Sequence, residues 1–145
     1  MNADETSSRM TALAADFRAV CERQEHSCNL SELFGLRAGA LNDPLQERFA
    51  ADMTALTANF AAGEPDSAAT RAVLETLFSL AGRHTEVKSA YWMLVAVQGL
   101  SLELIPGLSR GDAAALAKAY AADWPRHCRL PVQDAVLKAL KKAGK

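Results

Sequence analysis

Hydrophobic residues recur at spacings of three and four along nearly the whole chain, the period of a helix with one buried face. No segment alternates apolar and polar residues as a half-buried strand does. The first predicted helix covers Thr6 to Glu25, with Met10, Leu13, Ala14, Phe17, Val20 and Cys21 on one stripe. A short second helix is expected from Leu30 to Ala38: Asn29 can cap it, Glu32 stands at capping-box spacing, and Gly39 can stop it. The third is expected to start at Asp43, with Pro44 in the first helical position and Gln46 completing a capping box. Leu45, Phe49, Met53, Leu56 and Phe60 then repeat down one face until Gly63 and Pro65. A fourth helix, from Ser67 to Ala81, carries Val73, Leu74, Leu77 and Phe78, with Asp66 or Ser67 as its cap.

The segment from about 86 to 104 differs from these. Val87, Tyr91, Trp92, Met93, Leu94, Val95, Val97, Leu100, Leu102 and Leu104 leave it apolar nearly all round. A helix of that kind is enclosed on several sides, so it is expected at the centre of the fold. Pro106-Gly107 ends it. A sixth helix, Arg110 to Asp123, has Ser109 and Asp112 at capping-box spacing. A last one is expected from Pro131, with Val132, Val136, Leu137 and Leu140 inward and lysines in its final turn. The expectation is an all-α, compact bundle of six to seven helices around a buried central helix. Its 145 residues form one domain.

Composition strengthens the helical reading. About one residue in five is alanine, the best helix former, while β-branched and aromatic residues are few. The net charge of −1 gives no electrostatic argument for nucleic acid. The three cysteines do not suggest a disulfide framework, which points to a reducing, cytoplasmic setting. The acidic start Met1-Asn2-Ala3-Asp4-Glu5 has neither the basic nor the apolar region of a signal peptide. The longest apolar stretch, Ala90 to Ile105, is too short to span a bilayer.

Candidate chemistry is sparse. No phosphate-binding loop, dinucleotide fingerprint, HExxH, CxxC, serine elbow or EF-hand loop is present. Cys21, His26 and Cys28 cluster at the end of the first helix, and His127 with Cys128 before the last. Zinc takes four such ligands, often two from each of two segments, so a structural zinc is one reading of these five residues. The other is packing, since Cys21 also falls on an apolar stripe. Arg126 and Arg129 beside Trp124 can hold an anion, or simply form a solvated connector. Tyr91 and Trp92 point about 100° apart on a helix, so both are buried only if that helix is fully enclosed. Any exposed aromatic among them is an interface anchor.

Residues from Cys21 to Gly82 resemble the TyeA-type helical domain of type III secretion gatekeepers. The likeness rests on Glu32, Arg48-Phe49, Asp52-Met53, Leu56, Phe60 and Gly63, followed by another amphipathic helix. The tryptophan that this family carries near the end of its first helix is absent; Glu25 or His26 stands there. The resemblance implies a non-catalytic, partner-binding protein of a bacterial secretion system and assigns no site residue.

The leading expectation is a non-enzymatic helical protein-interaction module, a bacterial adaptor, regulator, inhibitor or secretion accessory, binding another protein or a second copy of itself. The alternative is a ligand- or metal-binding helical bundle acting as a sensor. An enzyme stands third, because it needs His84 or His127 within hydrogen-bond reach of a carboxylate.

Overall fold

A computed structural model describes the backbone of residues 1–27, 38–81, 87–123 and 134–145. Side chains are described for residues 1–21, 23, 44–81, 93–123 and 134–145. The described residues form six α-helices and one 3₁₀ turn, with no strand among them. Helix α1 is Ala3–Ser27, α2 Ala38–Ala62, α3 Ser67–Ala81 and α4 Val87–Leu104; α5 is Arg110–Ala122 and α6 Ala135–Ala143. The turn Ile105–Gly107 joins α4 to α5. The expected short helix from Leu30 falls mostly outside the described residues.

Helix α1 begins three residues before the predicted start because Asn2 caps it. The Asn2 Oδ1 accepts the Glu5 N–H at 2.8 Å, and Asp4 and Glu5 place negative charge in the first turn. Thr6, Met10, Ala14, Phe17 and Cys21, spaced four, four, three and four, form its buried edge. The start of α2 corrects the sequence reading. The helix begins at Ala38 and runs through Gly39, Asp43 and Pro44, so Gly39 is not a stop and Asp43 is not its cap. Pro44 is the seventh helical residue. It removes one backbone bond, to the carbonyl of Ala40, while its ring lies exposed. The signals Asp43, Pro44 and Gln46 are compatible with a helix start but do not forbid a preceding turn of Ala, Gly, Ala and Leu.

Helix α3 starts where expected: Asp66 is the cap, its Oδ1 accepting the Ala69 N–H at 2.8 Å. Ser67 serves another purpose. Its hydroxyl donates to Asp112 Oδ2 at 2.5 Å and accepts the Ser109 N–H at 2.7 Å. Arg71 donates to the other Asp112 oxygen at 3.0 Å and to Glu75 at 2.9 Å. The N-termini of α3 and α5 are thereby clamped together. Ser109 also caps α5 by accepting the Asp112 N–H, as the sequence suggested. The hydrogen bond from Ser67, then that from Arg71, holds the Asp112 carboxyl below its ordinary range.

The second correction concerns α6. Asp134 has an extended backbone (φ −81°, ψ 109°) and is the true cap, so the helix starts at Ala135 and does not run on from Pro131. Asp134 is 1% exposed. Its Oδ1 accepts the N–H groups of Val136 and Leu137, and its Oδ2 accepts the Tyr120 hydroxyl at 2.5 Å. The Tyr120 ring packs edge-on against Phe78, with centroids 4.9 Å apart. One buried carboxylate thus ties α6 to α5 and, through Tyr120, to α3. At the far end of α6, a Cβ on Gly144 would come within 3.0 Å of the Ala114 backbone nitrogen. Only glycine fits this approach to α5 without displacing backbone.

Helix α4 occupies the middle, touching α1, α2, α3 and α6. Met93, Val97, Leu100, Ser101 and Leu104 form its buried side. Its enclosure is incomplete: Val95 and Leu102 are each 38% exposed. No helix among the described residues is long and apolar enough to cross a membrane.

Candidate interaction groove

Helices α1 and α2 each carry more apolar surface than their contact consumes. On α1 the core edge is Met10, Ala14, Phe17 and Cys21, while Leu13 and Val20 lie beside it, half-buried. On α2 the core edge is Phe49, Met53 and Phe60, with Leu45 and Leu56 half-buried beside it. The flanking residues form two ridges with a groove between them. Its floor is the stacked pair Phe17 and Phe49, with centroids 4.3 Å apart and rings inclined by 12°.

Two adjoining cavities make up the groove. The smaller, about 180 Å³, is lined by Phe17, Val20, Leu45, Arg48 and Phe49. The larger, about 430 Å³, lies between Met1, Arg9 and Ala12 on one side and Ala55, Leu56 and Asn59 on the other. Leu13, Asp16 and Asp52 line both. The pairing of Val20 with Leu45 at one end and Arg9 with Asn59 at the other shows that the helices run antiparallel. Each wall then reads apolar, acidic, apolar: Leu13, Asp16, Val20 on α1, and Leu56, Asp52, Leu45 on α2.

The charges are unevenly satisfied. Arg9 is engaged by Glu5 at 2.9 Å. Asp16, Asp52 and Arg48 are exposed and make no ion pair or hydrogen bond among the described residues. An open groove with an apolar floor and polar rim suits the apolar face of a helix.

Of the residues singled out from sequence, Cys21 is the one whose side chain is described. It is fully buried on the core edge of α1. His26 lies in α1, and Tyr91 and Trp92 lie in α4, but their side chains are outside the described residues. Cys28, His84, Trp124, Arg126, His127, Cys128 and Arg129 are outside them altogether. Among the described residues no group of three or more potential metal ligands comes together.

Two features are not marked by the sequence pattern. Pro131 offers a stronger start signal than Asp134. Periodicity assigns Leu13, Val20, Leu45 and Leu56 to apolar faces without showing that they are only half covered. The available signal was the spacing of seven between Leu13 and Val20, a ridge parallel to the core edge with an aspartate set into it. A third cavity, about 10 Å³, lies beside Asp134 and Tyr120 and has no room for a substrate. Comparison with known proteins returns no matching family model, no matching curated protein and no matching solved structure.

Proposed function

We propose that this chain is a non-enzymatic helical interaction module that receives an amphipathic helix of a partner protein between α1 and α2. The observation that carries the reading is the pair of half-buried ridges over the Phe17–Phe49 floor. Burying that apolar surface would contribute roughly 25 cal/mol per Å². The reading accords with what the resemblance of residues 21–82 to the TyeA-type domain implies, a non-catalytic, partner-binding protein of a bacterial secretion system.

Site-specific photo-crosslinking tests it. A photoreactive residue at Leu13 or Leu56 is expected to give adducts whose mapped peptides form the apolar face of one helix, in a partner protein or a second copy. The same residue at Lys118, exposed on α5, is the control. Equal yields at the groove and at Lys118 would sink the reading. A small-molecule sensor is the second reading, favoured by the 430 Å³ cavity, which is large enough for a modest ligand.

A further inference from the structure

We infer that the helix accepted by the groove presents a lysine or arginine between two apolar anchors one heptad apart; the inference rests on the groove being a helix-docking site. Leu56 lines the larger cavity, Val20 and Leu45 the smaller, and Leu13, Asp16 and Asp52 both; along α1, Asp16 lies between Leu13 and Val20, and along α2, Asp52 lies between Leu56 and Leu45. The middle of the groove therefore holds two carboxylates, one from each wall. Neither has a cationic partner among the described residues. The cations differ. Arg9 lines only the larger cavity, where Glu5 already neutralises it. Arg48, one turn from Asp52 on α2, lines the smaller cavity with both aspartates and is the one free cation there among the described residues. Two carboxylates against one free guanidinium leave the groove a net negative middle, with apolar surface on both sides of it.

The spacing fixes the complementary pattern. On α1, Leu13 to Val20 is two helical turns, about 10 Å along the axis; the facing wall, Leu45 to Leu56, is eleven residues and about 16 Å, so it spans that interval with length to spare. A docked helix reaches both ends with apolar residues at i and i+7 and places its cation at i+3 or i+4. A cation on a flexible or polar carrier would leave the floor uncovered, so both elements belong to one helix face. An acidic residue at the central position would meet two carboxylates against the single Arg48 and be disfavoured, which gives the groove a means of choosing among amphipathic helices.

Fluorescence anisotropy with stapled helical peptides of about three to four turns tests this. All carry leucine at i and i+7, with Lys, Gln or Glu at i+3. The Lys peptide is expected to bind wild-type protein about five- to tenfold more tightly than the Gln peptide, with the Glu peptide weakest. The preference should disappear in an Asp16→Asn, Asp52→Asn double variant, whose exposed positions leave folding intact. Equal affinity for the Lys and Gln peptides, or a Lys preference that survives in the double variant, overturns the inference while leaving helix docking standing. If a Lys peptide with both leucines changed to alanine binds as well, the groove is a cation site and the inference also fails. If no peptide binds folded protein, helix docking itself falls.

Discussion

Ser101 and Asp134 are both buried polar residues, and they contrast at the level of single atoms. The Ser101 hydroxyl lies in the core side of α4 with no hydrogen-bond partner among the described residues. An unmade hydrogen bond of this kind costs about 1–3 kcal/mol. Ser101→Ala is therefore expected to raise the midpoint of thermal unfolding, read by circular dichroism; an unchanged or lower midpoint would show that the hydroxyl is satisfied. Asp134 is the opposite case, with three donors converging on a buried carboxylate. Tyr120→Phe keeps the ring contact with Phe78 and removes one donor. The expected loss is about 1.5–3 kcal/mol, the usual range for a hydrogen bond to a charged group, measured by urea titration. A loss below half that range would mean that the two backbone donors suffice.

At the scale of elements, the Ser67–Asp112–Arg71 clamp makes the α3–α5 junction sensitive to acid. Asp112 has a lower pKa in the folded chain than in the unfolded one, so its contribution is complete above its unfolded pKa, near 3.8. It is lost as pH falls through the still lower folded value. The gap in unfolding midpoint between wild type and Asp112→Asn should be constant from neutrality to about pH 5 and close below about pH 4. A gap independent of pH down to pH 2.5 would exclude the carboxylate as its source. Helix interiors were legible in the sequence because one buried face imposes a period, as Val73, Leu74, Leu77 and Leu80 show in α3. Starts were legible where a capping residue stood directly before the apolar period. Ser109 did, and Asp66 did beside Ser67 as a second candidate, whereas Pro44 and Pro131 advertised starts that α2 and α6 do not use. Proline at the first position is permissive, while a cap is identified by the hydrogen bonds it makes, and those depend on tertiary neighbours such as Tyr120.

For the whole molecule, the helical bundle around α4 was legible because its apolar character had to be enclosed by something. Its openness at Val95 and Leu102 was not, since periodicity does not reveal how many neighbours a helix has. The groove was hidden for the same reason: sequence marks a residue as apolar, not as covered. A net charge of −1 and a pI near 6.3 leave the molecule with little self-repulsion close to neutrality. Static light scattering is expected to show attraction between molecules strongest near pH 6.3 and weakening towards pH 8. A monotonic trend through that interval would contradict it. Finally, the stacked floor and the two ridges of the groove come from different positions on the same helices. Phe17 and Phe49 are committed to the core, Leu13 and Leu56 lie half-buried against its edge, and Asp16 and Asp52 are exposed and can change without disturbing it. Such a division lets recognition drift over generations while the fold stays fixed, so related chains should vary first along the ridges and last at the stacked rings.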